Sequence, residues 1–224
     1  MEVVYEDNHI IIVNKRPGEI VQGDKTGDTP LVETVRQYIK ETYAKPGNVF
    51  CGLVHRIDRP VGGLVVFAKT SKALTRMNEL FRLGDVHKTY WAIVQGRPKQ
   101  PEAHLTHYIT SVERNNKSYA SLRPKEGASK SELIYRTLAE GENYTLLEID
   151  LITGRKHQIR VQLSTTGTPI KGDLKYGARR SNPDGSISLL ARSIRFIHPV
   201  SKKEIYIEAP IPDDKLWQSL TAMI

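Results

Sequence analysis

The sequence predicts an α+β fold, a single domain over residues 1–224 with a mixed, largely antiparallel β-sheet flanked by helices and loops. Short segments rich in β-branched and aromatic residues outnumber the amphipathic segments with helical spacing. Most of these strands are separated by polar turns of hairpin length. No repeat, low-complexity tract or linker is found, and 224 residues suffice for one domain with a sizeable core or for two small ones.

The first half of the chain predicts four strands and two helices. Thr29 is expected to cap the first helix, with Pro30 at its first helical position. Ser71 is expected to cap the second helix, and Gly84 to end it. The strands are predicted at 3–5, 9–13, 64–69 and 88–94, the last two as buried or central strands.

The second half predicts mostly strands. Residues 153–164 are ambiguous, because alternation allows a strand, but the flanking Gly154 and Gly167 and the Ile159–Leu163 spacing favour a helix. The stretch 111–130 is polar and basic and predicts a long loop or ribbon. The remaining predicted elements are strands at 104–109, 131–138, 144–151, 188–197 and 205–209, and a terminal helix capped by Asp213 with Leu216, Trp217 and Leu220 inward.

The charge balance indicates an anionic partner. The net charge is +8 and the pI is about 9.5, and nucleic acid is the commonest partner of such a protein. The cations form three groups that alternate with apolar segments, so we expect them on folded surfaces rather than in a disordered tail. The groups span 69–88, 114–130 and 155–180.

Several classes of protein are disfavoured by composition. No apolar run approaches the length of a membrane span, and the acidic N-terminal segment is unlike a signal peptide. A single cysteine, Cys51, excludes an internal disulfide and fits a reducing cytoplasm, which is the expected location. The histidines and this cysteine do not have the spacing of zinc ligands, so no metal site is expected.

The stretch 51–69 combines a charged loop with a buried strand. Asp58 lies between Arg56 and Arg59 and precedes a Pro-Val-Gly-Gly turn. Two guanidinium groups beside one carboxylate favour its ionised form. On these residues alone, the commoner explanation is an Asp that caps the backbone of a turn.

Three separated stretches together resemble the signature motifs of the RluA-type pseudouridine synthases. They are His55-Arg56-Ile57-Asp58 with its glycine turn, Lys88-Thr89-Tyr90-Trp91-Ala92, and Gly154 to Arg160. Segments 6–15, 169–173 and 176–177 also look like that family, in the right order, so the resemblance covers residues 3–210. One motif alone is a weak signal, but three in order at sensible spacings are specific.

The resemblance implies a pseudouridine-synthase-like fold and a role for each matching residue. Asp58 matches the essential aspartate, and Arg160 the arginine that pairs with it. Arg56 matches the arginine that takes the place of the flipped nucleotide, and Tyr90 the tyrosine that packs on the target base. Three residues of the third motif are expected to support the site or contact RNA: Arg155, His157 and Gln158. Further candidate RNA contacts are His55 and Lys171. A structural role is the alternative for His55.

The expected activity is isomerisation of specific uridines in ribosomal or transfer RNA to pseudouridine by a monomer. Nothing is oxidised or hydrolysed, so no cofactor is expected, and Asp58 acts either as a nucleophile or as a base. A catalytically silent RNA-binding protein or RNA chaperone with the same fold is the alternative. A nuclease using Asp58 and His157 is disfavoured, because no cluster of carboxylates for metal binding is evident.

The chain departs from the family pattern at a few positions. Val61-Gly62 stands where hydroxyl residues are usual, and Gln162, Thr168 and Leu190 stand where histidine is common. We expect these departures to bear on substrate identity more than on activity. Residue 1 falls near the start of the catalytic domain, so the extra N-terminal RNA-binding module of many relatives is expected to be absent.

Overall fold

The computed structural model describes residues 1–224, which form four α-helices and eleven β-strands. In chain order the elements are β1 (Glu2–Glu6), β2 (Ile10–Lys15), α1 (Leu31–Thr42), β3 (Gly52–Leu53), β4 (Gly62–Ala68), α2 (Ser71–Leu83), β5 (His87–Gln95), β6 (Glu102–Val112), β7 (Lys117–Ser121), β8 (Ser129–Glu140), β9 (Tyr144–Leu151), α3 (Gln158–Thr165), β10 (Leu189–Ile197), β11 (Glu204–Glu208) and α4 (Lys215–Thr221). Short 3₁₀ turns lie at Glu113–Asn115 and Leu174–Tyr176. No helix has the length and apolar character needed to cross a membrane.

The chain divides into two compact units. The first, unit 1, comprises Met1–His87 and Ala191–Pro210, and the second, unit 2, comprises Lys88–Leu190 and Ile211–Ile224. The predicted single catalytic domain over 1–224 therefore stays a prediction.

Unit 1 is built around two apolar strands. Every residue of β4 is buried, as are Ile10 to Val13 of β2, because both faces of these strands are covered. Strand β2 pairs antiparallel with β1 on one side and with β4 on the other; β10 lies next to β4, and β11 pairs antiparallel with β10. Helix α1 packs Leu31, Val35 and Ile39 into the same core, which confirms its predicted buried stripe.

Unit 2 contains an antiparallel array in the order β5-β9-β8-β6-β7. Helix α3 packs on β6, β7 and the second 3₁₀ turn, and α4 packs on β8 and β9. A small cluster of Ile109, Val161 and Tyr176 anchors α3 against the hairpin of β6 and β7.

The predicted α+β class, with a largely antiparallel sheet and flanking helices, is confirmed. The helix chosen for the ambiguous segment 153–164 is confirmed as α3, which begins at Gln158. Arg155, Lys156 and His157 therefore lie before the helix. The basic stretch 111–130 is a ribbon in part, because it contains the end of β6 and all of β7.

The three predicted N-terminal helix caps are each wrong by one residue, whereas Gly84 ends α2 as predicted. Pro30, not Thr29, precedes α1. Thr70, not Ser71, caps α2, and its hydroxyl accepts a hydrogen bond from the Ala73 N–H at 3.1 Å. At α4 the cap is Asp214, whose carboxylate accepts from the Leu216 and Trp217 N–H groups, rather than the Asp213 of the prediction. Trp217 and Leu220 are buried as predicted, and Leu216 is half-buried.

Candidate active site

Asp58 lies in a turn that the backbone of unit 1 holds from two sides. The Val61 N–H donates to the Asp58 carbonyl at 3.0 Å, which closes the turn. The Arg59 carbonyl accepts from the Gly18 N–H at 2.8 Å, which ties the turn to the loop after β2. The Asp58 side chain is half-buried. Asp58 thus begins a tight turn whose backbone is held in place, and its catalytic role stays a prediction.

A buried lysine, Lys15, fixes the same turn. It is only 1% exposed, and its ammonium donates to the carbonyls of Arg16 (2.9 Å), Glu19 (2.8 Å) and Arg59 (3.1 Å). Burial lowers the pKa of Lys15 to about 8, against the raising effect of the nearby Glu19 and Asp58 carboxylates. Lys15 therefore joins the loop after β2 to the residue that follows Asp58.

The two glycines that follow the turn have different constraints. Gly63 has φ +111°, and a Cβ there would lie 2.4 Å from the Ala191 carbonyl oxygen, so only glycine fits. A Cβ on Gly62 would meet only the Pro17 ring at 3.3 Å and the Lys15 carbonyl oxygen at 3.5 Å. A side chain at position 62 would thus require a small shift of the Pro17 ring, whereas one at position 63 would collide with backbone.

The other residues of the first motif contact their surroundings within unit 1. His55 stacks on Phe81 with ring centroids 5.0 Å apart, and its Nε2 accepts from the Val66 N–H at 3.1 Å. These contacts favour the structural alternative for His55. Arg56 is exposed and donates to the Gln22 side chain at 3.1 Å, and Arg59 forms an ion pair with Asp28. Both arginines therefore hold the polar loop 22–28 against the motif.

Unit 2 holds the residues of the second and third motifs. Tyr90 lies in β5 opposite Ile149 of β9 and is 8% exposed. Arg160 lies in the first turn of α3 and is 5% exposed. Its Nε and Nη2 donate to Asp173 at 2.7 and 2.9 Å, and Asp173 is only 1% exposed. This two-point contact fixes the plane of the guanidinium. The predicted pairing of Arg160 with Asp58 stays a prediction.

Tyr176 connects Arg160 with two other parts of unit 2. The Arg160 guanidinium lies over the Tyr176 ring at 5.0 Å. The Tyr176 hydroxyl accepts from the Ser118 N–H at 2.8 Å and is hydrogen-bonded to His157 Nδ1 at 2.8 Å. Burial raises the pKa of Tyr176. His157 itself has φ +55°, a left-handed conformation that costs a non-glycine residue free energy and here is held by this bond.

Gln158 and Lys171 are tied to neighbouring loops. Gln158 is 3% exposed, accepts from the Thr153 hydroxyl and the Arg155 N–H, and donates to the Glu132 carbonyl. Its amide closes the turn before α3, which indicates a supporting role. The Arg155 side chain is exposed. Lys171 is half-buried and donates to the Asn182 side chain at 2.6 Å.

Lys15, Asp173 and Tyr176 lie in segments that resemble the family, but the sequence predicted no role for them. A lysine at the end of an otherwise apolar strand was an available signal, since buried lysines are rare without partners. The Arg160–Asp173 and Tyr176–Ser118 contacts had no such signal, because they join separate elements of the fold.

The positions where histidine is common in the family lie inside unit 2. Gln162 is fully buried, and its amide nitrogen contacts His107 Nδ1 at 3.1 Å and the Leu105 carbonyl at 3.3 Å. Thr168 and Leu190 are 5% and 3% exposed. These three departures are therefore interior and do not lie on an exposed surface. The His, Cys, Asp and Glu side chains include no group of three or more placed to hold a metal ion.

Comparison with known proteins shows a family model and curated proteins that are similar to this chain in sequence. The model of the RNA pseudouridylate synthase family matches residues 9–165, which include Asp58, Tyr90 and Arg160. The ribosomal large subunit pseudouridine synthase C of Vibrio cholerae is 34% identical over 99% of this chain and 69% of its own length. The tRNA pseudouridine synthase C of Vibrio vulnificus is 32% identical over 98% of this chain and 94% of its own.

Solved structures show the same fold. The human RNA pseudouridylate synthase domain containing 4 superposes with a TM-score of 0.80 over 99% of this chain and 92% of its own, at 23% identity. The human RNA pseudouridylate synthase domain containing 1 gives a TM-score of 0.75, also at 23% identity. At this identity the likeness shows a shared fold.

Proposed function

Because the chain belongs to the RluA-type RNA pseudouridylate synthase family, we propose that it isomerises specific uridines in ribosomal or transfer RNA with Asp58 as its catalytic carboxylate. The enzyme class follows from the family: the chain is an RNA pseudouridine synthase. The observation that carries the residue assignment is the family match over 9–165, which contains all three motifs in order.

The reaction breaks the bond between ribose C1′ and uracil N1 and forms one between C1′ and C5, while C5 loses a proton and N1 gains one. The protein must extract the nucleotide, supply one anionic oxygen and hold the detached base. Asp58 supplies the oxygen, by attacking the nucleotide or by removing a ribose proton. The turn closed by Val61 and tied by Lys15 limits how far that carboxylate can move.

Arg160 pairs with the Asp58 carboxylate in this proposal and orients it through charge-assisted hydrogen bonds. The two-point contact with Asp173 and the Tyr176 ring beneath it hold the guanidinium plane, so little ordering is needed when it acts. Tyr90 packs on the uracil, a contact worth about 1–3 kcal/mol per base.

Arg56 takes the place of the extracted nucleotide. Flipping a base costs a few kcal/mol of stacking, and a planar guanidinium restores part of it. Arg56 is exposed and held only by the Gln22 side chain, which leaves it able to reach the RNA. Arg155 and Lys171 contact the RNA backbone, whereas His55, His157 and Gln158 support the loops that carry the other residues.

The proposed enzyme acts as a monomer in the cytoplasm without a metal or other cofactor. The free Cys51 thiol is consistent with a reducing compartment. Activity should survive a chelator; loss of activity in EDTA that added metal restores would instead favour the nuclease hypothesis. Light scattering with and without RNA tests the oligomeric state.

The decisive experiment measures tritium released from RNA made with [5-³H]uridine, because C5 loses its hydrogen in this reaction. Unmodified transcripts of large-subunit ribosomal RNA and of transfer RNA serve as substrates. Asp58→Asn should abolish release and keep RNA binding, and Tyr90→Phe should bind and turn over slowly. Asp28→Asn, a similar change on the neighbouring loop, is the matched control and should release tritium like the wild type.

Each result has a clear consequence. An Asp58→Asn protein that releases tritium at the wild-type rate would refute the catalytic assignment. A wild-type protein that binds these RNAs but releases no tritium, and whose removal from cells leaves every pseudouridine in place, would favour the catalytically silent RNA-binding alternative.

A further inference from the structure

We propose that the hairpin of β6 and β7 carries an additional RNA-binding surface, which holds unpaired RNA by stacking a base on Tyr119 and placing phosphates on the neighbouring lysines. The proposal rests on the proposed function and adds to it a surface outside the three motifs. We define the hairpin surface by Lys117, Tyr119, Lys156 and Lys175.

The hairpin is a regular structure with a defined outer face. Strands β6 and β7 pair antiparallel from Tyr108–Ser121 to Val112–Lys117, and Asn116 turns the chain with φ +49°. Alternation along β7 sends Ser118 inward, where it is fully buried, and leaves Tyr119 47% exposed. An exposed aromatic ring on a paired strand is thus presented to solvent.

Three hydrogen bonds bring the lysines of the hairpin surface together from distant parts of the sequence. The Ser118 hydroxyl donates to the Lys156 carbonyl at 2.8 Å, and the Ser118 N–H donates to the Tyr176 hydroxyl. The Lys175 ammonium donates to the Asn116 carbonyl at 3.0 Å. The hairpin is therefore fixed against the segment before α3 and against the 3₁₀ turn at Leu174–Tyr176, so the surface exists before RNA arrives.

The Tyr119 ring is held in place by its neighbours. Its hydroxyl accepts from the Asn115 side chain at 2.9 Å, and the Lys117 ammonium lies 5.7 Å from the ring centroid. A ring fixed at its edge loses little freedom when a base stacks on its open face. A cation beside it attracts the phosphate of the same nucleotide.

Several cations around the hairpin form no ion pair with an acidic side chain. Other cations of unit 2 form ion pairs, namely Arg97 with Glu140, Lys130 with Glu132 and Arg136 with Glu148. Arg114, Lys117, Arg155 and Lys156 form no ion pair, and Asp173, which binds Arg160, is the only acidic residue between 155 and 180. A cluster of uncompensated positive charge raises the local concentration of a polyanion.

The combination of stacking ring and cations selects unpaired RNA as the partner. A duplex hides its base faces and would use only the lysines, whereas a single strand can use both ring and charge. An acidic polypeptide would use the charges and gain nothing specific from the ring face. The two parts of the surface can therefore be tested separately.

The ring is tested with Tyr119→Leu, which keeps an apolar side chain and removes the aromatic face. The matched control is Tyr206→Leu in unit 1, because Tyr206 is also 47% exposed on a strand and has a cation, Arg195, 4.9 Å from its ring. The probes are a 12-nucleotide oligouridine and a 12-base-pair RNA duplex. Tyr119→Leu should weaken oligouridine binding by about 5- to 150-fold and duplex binding much less. Tyr206→Leu should bind both like the wild type.

The charges are tested with the double variant Lys117→Gln/Lys156→Gln. The control is Lys99→Gln/Lys215→Gln, two exposed lysines of the same unit that remove the same total charge. Each lost phosphate contact lowers the slope of log K against log salt by about 0.7 for single strands, so the double variant should lower it by about 1.4 and the control by much less. Circular dichroism and melting curves check that all variants fold.

Several results would overturn the proposal. Oligouridine binding by Tyr119→Leu equal to that of the Tyr206→Leu control would remove the stacking role. Equal salt slopes for the two double variants would remove the phosphate role. Displacement of oligouridine by poly-glutamate at equal charge, with no effect of Tyr119→Leu, would assign the surface to acidic proteins.

Failure of the proposed function gives a different pattern. If the wild type releases no tritium but its RNA binding depends on Tyr119 and Lys117, the hairpin surface stands and the catalytic proposal fails. If the wild type releases tritium and both variants bind RNA like their controls, the hairpin surface fails and the catalytic proposal stands.

Discussion

Replacing Asp173 with asparagine tests whether the buried ion pair with Arg160 sets the geometry of unit 2. Both side chains are nearly inaccessible, at 1% and 5% exposure, and two hydrogen bonds of 2.7 and 2.9 Å join them. Removing one partner of such a pair leaves a charge in a poorly solvated place and typically costs about 3–5 kcal/mol. Asparagine keeps one acceptor oxygen, so we expect about 3 kcal/mol.

The expected loss is large enough to measure by melting. In a chain of 224 residues, 1 kcal/mol corresponds to about 2–4 °C in Tm, so Asp173→Asn should lower Tm by about 6–12 °C. The matched control is Asp28→Asn, which breaks an exposed ion pair with Arg59 and should cost less than about 1 kcal/mol.

The same variant has a functional readout. At a temperature where Asp173→Asn is fully folded, its single-turnover rate of tritium release should fall, because the Arg160 guanidinium has lost its two-point contact. A Tm equal to that of Asp28→Asn, together with an unchanged rate, would refute the reasoning on both counts.

Three further predictions concern buried positions of unit 1. Burial lowers the pKa of Lys15 from 10.5 to about 8, so the unfolded chain binds more protons than the folded chain between these pH values. In urea titrations the free energy of unfolding of the wild type should therefore rise relative to that of Lys15→Met from pH 8 to pH 10.5. An unchanged difference between the two proteins over this range would contradict the prediction. Gly63→Ala should cost about 3 kcal/mol or more because its Cβ would overlap the Ala191 backbone, whereas Gly84→Ala, also at positive φ but in open space, should cost about 1 kcal/mol by the same titrations. Burial raises the pKa of Cys51 to about 12, so a thiol reagent at pH 8 should label it only as fast as the chain unfolds; rapid labelling of the native protein would contradict its buried position.

The strands of this fold were predictable because their signals are local. The apolar runs of β2 and β4 follow from side-chain burial on sheet faces, and the structure has strands in both places. The helix caps were less predictable for an equally local reason. Thr70 and Ser71 are adjacent and both can cap, and the choice falls on Thr70, whose backbone stays extended at φ −139° and ψ 152°. Asp213 and Asp214 present the same ambiguity.

The contacts of the candidate site were less predictable, because they depend on which loops meet. Motif resemblance led to an expected partner for Arg160 but said nothing of Asp173, although the two lie only 13 positions apart. Similarly, Arg59 was expected to flank Asp58, and its guanidinium pairs with Asp28 in a loop whose polar composition gave no hint of that contact. Residue types limit the possible ion pairs, and tertiary packing selects among them.

Tyr176 connects the hairpin surface with Arg160 through contacts of its hydroxyl and its ring. It receives the Ser118 N–H from β7 and bonds His157, while the Tyr176 ring lies beneath Arg160. Binding of RNA to the hairpin would therefore affect the position of Tyr176, whose ring packs against the Arg160 guanidinium. In Tyr176→Phe the ring remains and the two hydroxyl bonds are lost, so the packing under Arg160 persists while the link to β7 is cut. A lower affinity for oligouridine in that variant, with the Arg160–Asp173 pair intact, is what such a connection requires.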